Sequence, residues 1–172
     1  MKKKSAQNVA FMGVFFGLSM ALSFLEGLLP PMPNGIKPGL SNIVTMYMLF
    51  FAGTKSAFII TILKSLFVGL TRGATAGFMS ASGGFLSVLI MLMLSMKKKN
   101  PFSYLMISVF GGIAHNLGQL LMSCLIMKNF LTLYYAPVLV LSGVIMGILT
   151  GTTLKYILPV LEKMSFKIHK RN

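Results

Sequence analysis

The sequence predicts an all-α integral membrane protein of six transmembrane helices, and three observations carry that expectation. Of 172 residues, 55% are hydrophobic and 10% charged, where a soluble domain carries about a quarter charged residues. Long apolar runs recur along the chain, approaching the ~20 residues that cross a hydrocarbon core of about 30 Å. The basic residues gather between those runs: 16 Lys and Arg stand against two acidic residues, for a formal net charge of +14. Such clustering marks cytoplasmic loops. Nucleic acid is not an expected partner, because its binders spread their charge over a folded soluble surface. The lipid bilayer is.

Backbone polar groups cannot go unpaired in lipid, so each run has to be a helix. The first covers residues 8–29. It follows Lys2, Lys3 and Lys4 as a signal peptide would, but it is too long for a signal core and ends in Glu26-Gly27-Leu28-Leu29-Pro30-Pro31, with no small-residue cleavage site. The second, 40–52, is short, which suggests that the chain near 36–39 enters the membrane or that the helix belongs to a broken element. Four more follow at 56–70, 78–96, 104–127 and 136–158. Alternating crossings put Lys2, Lys3, Lys4, Lys55, Lys97, Lys98, Lys99, Lys155, Lys163, Lys167, Lys170 and Arg171 on one side, the cytoplasm. Both termini are then inside. Lys37, Arg72 and Lys128 fall outside, and Lys64 within the third span. The single cysteine, Cys124, excludes an intramolecular disulfide and reads as packing.

Between the first two spans, residues 26–39 hold four of the seven prolines, three glycines, Glu26 and Lys37. Proline lacks a backbone donor and glycine carries a large ordering entropy, so this stretch is a shaped loop on the outer surface. Two helices carry ladders of small residues. Ala6, Ala10, Gly13, Gly17 and Ala21 share a face of the first; Gly143, Gly147 and Gly151 share a face of the sixth. Such faces admit another helix backbone to backbone. Either the bundle packs on them or the first presents its ladder to a partner.

Ionisable groups at membrane depth are costly and point to function. Lys64 and Arg72 lie two four-residue steps apart on one face of the third helix, Arg72 at its outer end and Lys64 about two turns deeper. Arg72 reads equally as a ligand contact or as a cation snorkelling to headgroups; Lys64 is too deep to snorkel cheaply. The fifth helix adds His115, Asn116 and Gln119, with Ser123 beyond, which read equally as ties between helices or as the lining of a cavity, and the fourth adds Ser80, Ser82, Gly83 and Gly84. Asn42 and Thr45 stand on the second. These groups fall in the outer half, and the inner half reads as nearly free of polar side chains. A pore would need polar lining throughout. The expectation is therefore a cavity open to the outside, favouring an anionic or strongly polar small molecule held by Glu26, Lys37, Asn42, Lys64, Arg72, Ser80, Ser82, His115, Asn116 and Gln119. Glu26 pairs with Lys64 or Arg72 in the empty protein on this reading. Catalysis is not expected. There is no Asp-rich, metal-ligating or phosphate-cradling motif, and no Ser-His-acid relay, so no cofactor or metal is implied.

Leu25-Glu26-Gly27 through Pro30, Ile36-Lys37-Pro38-Gly39-Leu40-Ser41-Asn42-Ile43-Val44-Thr45, Lys64-Ser65, Thr71-Arg72-Gly73 and the run from Ser80 to Gly84 resemble the Gx transporter family, also named heptaprenyl diphosphate synthase component I. That family is similar to the S components of energy-coupling factor transporters. The resemblance implies a multi-pass subunit of the bacterial plasma membrane with an S-component-like bundle. It would capture a vitamin-like or precursor molecule, and a transmembrane T subunit and two ATPase subunits would drive its release. It also implies that Ala6 and Ala10, continued by Gly13 and Gly17, meet the T subunit, and that residues 26–39 form the lid over the ligand. The alternative is a non-catalytic membrane accessory subunit of prenyl diphosphate or quinone biosynthesis, whose basic inner surface recruits a soluble synthase.

Overall fold

A computed structural model describes the backbone of residues 2–28, 39–96 and 102–170 and the side chains within 9–28, 39–96 and 102–156. Lys37 and most of the expected lid lie outside the described residues, as does the side chain of Ala6. The described chain is helical: α1 (Lys2–Leu28), α2 (Asn42–Phe51), α3 (Thr54–Arg72), α4 (Ala74–Ser95), α5 (Tyr104–Met127) and α6 (Ala136–Lys170), with a 3-10 turn at Phe130–Tyr135. Five segments are long and apolar enough to cross a membrane: Val9–Leu28, Thr54–Arg72, Ala74–Ser95, Tyr104–Met127 and Phe130–Tyr156.

Most helix ends depart from the expected spans by a few residues, and α6 continues to Lys170; two of the departures bear on the site and its neighbours. α1 continues through Glu26 and Gly27, so Glu26 belongs to the last turns of a helix and not to a loop; nothing before Pro30 forbids helix there. α4 starts at Ala74, four residues before the expected 78, because Gly73 alone turns the chain. With φ +93° it ends α3 and opens α4 together. The two helices then cross in backbone contact: a Cβ on Gly77 would stand 2.8 Å from Gly69 Cα.

α2 has only 10 residues, about 15 Å at 1.5 Å per residue, half of a bilayer core. Its first residue, Asn42, bonds Lys64 midway along α3. Gly39, three residues earlier, faces His115 midway along α5. The helix therefore begins at half depth, and the chain leading into it reaches the centre of the bundle.

The core is apolar and rich in methionine. Val44, Met46, Met48, Ala57, Ile60, Val88, Met91, Ile107 and Leu154 are buried in one cluster. Removal of apolar surface from water is not the force here; close packing is. Glycines supply the closeness between α5 and α6. A Cβ on Gly143 would come 2.7 Å from Ile113 Cα, and one on Gly151 3.0 Å from Leu105 Cα. The α6 ladder is thus consumed inside the bundle.

α1 behaves oppositely. Its inward face packs Met12, Phe15, Phe16 and Leu22 against the core, with Phe15 stacked on Tyr47 at 4.6 Å. Ala10, Gly13, Gly17 and Ala21 are exposed, and a Cβ on Gly13 or Gly17 would meet nothing within 4 Å. The first ladder is an open face among the described residues.

Candidate functional site

The polar residues meet where α2 begins. The α2 backbone explains why a carboxylate is there. The N–H groups of Asn42, Ile43 and Val44 are taken by the carbonyls of Gly39, Leu40 and Ser41. The Ser41 N–H donates instead to Glu26 Oε1 at 2.6 Å, and the Ser41 hydroxyl donates to the same oxygen at 3.1 Å. Glu26 is buried. It sits at the positive end of the α2 dipole with two donors on one oxygen, the environment that makes a buried carboxylate tolerable.

Lys64 is 2% exposed, and its ammonium donates to Asn42 Oδ1 at 3.0 Å. Among the described residues, the charges of Glu26 and Arg72 act on it. His115 packs against the same corner, its Nε2 edge toward Gly39 and its Nδ1 toward Gly83. Nδ1 is buried without a hydrogen-bond partner. Gly39 is indispensable to this packing. Its φ is +84°, and a Cβ there would come 2.8 Å from Asn42 Nδ2 and 3.1 Å from His115.

The residues expected at the site therefore sort into groups. Glu26, Asn42, Lys64 and His115 come together around the start of α2. Glu26 takes Ser41 as its hydrogen-bond partner where Lys64 or Arg72 was expected, because the opening turn of α2 places an N–H and a hydroxyl beside it. Arg72 reaches across to α1: its Nη2 donates to the Ser23 carbonyl and lies 3.5 Å from Ser23 Oγ. It holds the end of α1. Ser82 donates to the Gly118 carbonyl at 2.8 Å, the Ser80 hydroxyl lies 3.3 Å from that of Ser65, whose own proton goes to the Thr61 carbonyl, and Asn116 Nδ2 donates to the Leu139 carbonyl at 2.9 Å. These three join helices to each other. Gln119 is buried alongside Gly83.

The expectation of a nearly apolar inner half is corrected. Thr45, Ser87, Ser108 and Thr150 are all buried and lie from Asn42 toward the α2–α3 turn. Ser87, Ser108 and Thr150 line a common hollow with Asn42. Single hydroxyls scattered through four apolar runs carry no sign of their convergence. Ser41 was also missed as a site residue. A serine before an apolar helix, just after Pro-Gly, is an N-terminal signal that could have singled it out.

Among the described residues no group of three or more His, Cys, Asp or Glu is placed to hold a metal ion. The arrangement offers one ammonium, one carboxylate, an amide, an imidazole and a helix N-terminus at half depth. It can hold and orient an anionic or polar group; among these groups none is set up as a nucleophile with its base. The sequence model of the heptaprenyl diphosphate synthase component I family matches residues 15–157. No curated protein and no solved structure matches the chain.

Proposed function

Because the chain belongs to the heptaprenyl diphosphate synthase component I family, a group whose name describes one component of a synthase, we propose that it serves as a non-catalytic binding subunit. On this reading it captures a small anionic or polar metabolite from the outer face of the bacterial plasma membrane, with both termini in the cytoplasm. The observation that carries the reading is Lys64, buried at half depth on a neutral amide. A charge so placed costs several kcal/mol and is retained where function uses it. The ligand's anionic group would approach Lys64 and the N-terminus of α2, where Glu26 now accepts from Ser41. Residues 29–38, with Lys37, would close above it. Broken helices whose N-termini face an anionic substrate group at the midplane are a recurring device of membrane transport.

Release would be driven by partners, as in energy-coupling factor importers: a transmembrane T subunit docking on Ala6, Ala10, Gly13 and Gly17, and two ATPase subunits. The open α1 ladder supports that docking face. The test of the reading has two arms. Protein in nanodiscs is incubated with a metabolite extract, and what it retains is identified by mass spectrometry. Lys64→Ala should abolish retention; unchanged retention removes Lys64 from the site. Arg72→Ala should weaken it through the loosened end of α1. In the second arm, Ala10→Leu should lose the T subunit on purification while ligand capture persists.

A second reading, favoured by the family's description, is an accessory membrane subunit of prenyl diphosphate synthesis. It predicts copurification of a soluble prenyl synthase, insensitive to Ala10→Leu, and no small molecule held at Lys64.

A further inference from the structure

Beside the Lys64–Asn42 contact, on the side toward the α2–α3 turn, lies a hollow where α2, α4, α5 and α6 meet. Asn42, Ser87, Met91, Ser108, Gly111 and Thr150 contribute to its wall, and its volume is about 10 Å³. That is room for about one water. Gly111 keeps it open: a Cβ there would come 2.8 Å from Met91 Sδ and 3.3 Å from Ser87 Oγ.

Ser87 is 1% exposed and Ser108 3%, and neither hydroxyl has a hydrogen-bond partner. This is unusual for a serine in a membrane helix, which can discharge its hydroxyl on the carbonyl one turn back. Thr61 does so on Ala57 and Ser65 on Thr61, each at 2.8 Å. Ser87 and Ser108 do not, although the same option is open to them. Both instead border a space of a water's size.

The geometry points to a built hydration site: one ordered water held between Ser87 and Ser108 and reached by the Asn42 amide. Asn42 gives its Oδ1 to Lys64 and keeps an Nδ2 donor for this second neighbour. The water thereby extends the polar cluster from half depth into the half-bundle where the helices otherwise pack apolar side chains. A metal cation fits poorly. The lining holds no carboxylate, and the Lys64 ammonium lies just across Asn42 and repels positive charge. An apolar occupant would leave both hydroxyls unpaired.

The site stands independently of the transport reading. It is tested by X-ray radiolysis of the full-length protein in nanodiscs, with oxidation read by mass spectrometry. The beam splits a bound water to hydroxyl radical in place, the radical adds to the neighbouring Met91 sulfur, and dissolved dioxygen takes the second electron as the adduct loses its proton, leaving the sulfoxide with one added oxygen. Met79, buried at 8% exposure in the separate cluster with Leu120 and Leu139, is the control. Met91 should oxidise about threefold or more faster than Met79, because its cavity is polar and roomy enough to be wet. Replacing both hydroxyls, Ser87→Ala with Ser108→Ala, should remove most of that excess, since the water loses the two partners that hold it and needs two to four polar contacts to stay. The single Ser108→Ala, read in the same way, serves where the double variant does not fold. Equal rates for Met91 and Met79 in the natural protein, or an excess that survives the substitutions, would overturn the assignment. Ligand retention at Lys64 is a separate readout, so failure of either proposal leaves the other measurable.

Discussion

At the scale of single residues, the cluster is legible where chemistry is scarce. Lys64, Glu26, His115 and Asn42 stand out in a chain with few charges, and all four meet around the start of α2. Serines and threonines are the opposite case. In an apolar helix they bond their own backbone cheaply, as Thr71 does to Phe67, so their presence says nothing about what they face. Ser82 was legible as polar but not as a helix-to-helix tie, because its acceptor is a backbone carbonyl of another helix; Asn116 read equally as a tie or as cavity lining, and it ties α5 to the Leu139 carbonyl. The residue that tolerates least is Gly39. An alanine at φ +84° costs about 1–2 kcal/mol in backbone strain, and its Cβ would press on Asn42 Nδ2 at 2.8 Å. Gly39→Ala should therefore lower thermal stability by more than the strain alone and weaken any ligand held at Lys64. A variant melting with the natural protein would show that the corner is looser than described.

At the scale of elements, two ladders of the same composition have opposite fates. Sequence spacing finds both and cannot tell them apart, since a small-residue face is the same pattern whether covered or open. Packing separates them. On α6, Gly143, Gly147 and Gly151 lie on the α5 backbone; on α1, Gly13 and Gly17 face open space. Gly17→Ala should be neutral or stabilising by up to about 1 kcal/mol, as glycine is a poor helix former. Gly147→Ala should cost about 1–3 kcal/mol through overpacking. Paired melting curves in one detergent check both, and equal shifts would deny the distinction. The shortness of α2 was also readable from its apolar length. Its consequence, a helix starting at half depth, was not, because depth follows from the Asn42–Lys64 and Gly39–His115 contacts between helices far apart in sequence.

At the scale of the whole molecule, the helices form a bundle with an open outer helix and a polar centre. α1 is held to the rest by aromatic stacking on α2, by Glu26 on Ser41 and by Arg72 on Ser23. Two of those ties involve charges that act on Lys64, so the end of α1 and the polar centre share their contacts. Composition announces the membrane; among the described residues five segments are long and apolar enough to cross it where six spans were expected, α2 being the short one. The ties between α1 and the polar centre emerge only from the contacts.

The central claim is that Lys64 anchors an anionic ligand, and native mass spectrometry of the purified protein against Lys64→Met tests it most directly. The substitution keeps the shape and removes the charge. Stability should move by no more than about 2 kcal/mol, the lost charge offsetting the unpaired Asn42 oxygen. The natural protein should carry a retained anionic small molecule as added mass, and Lys64→Met should fly bare while remaining folded. No retained molecule in the natural protein, or the same molecule at equal occupancy in the folded variant, would contradict the account.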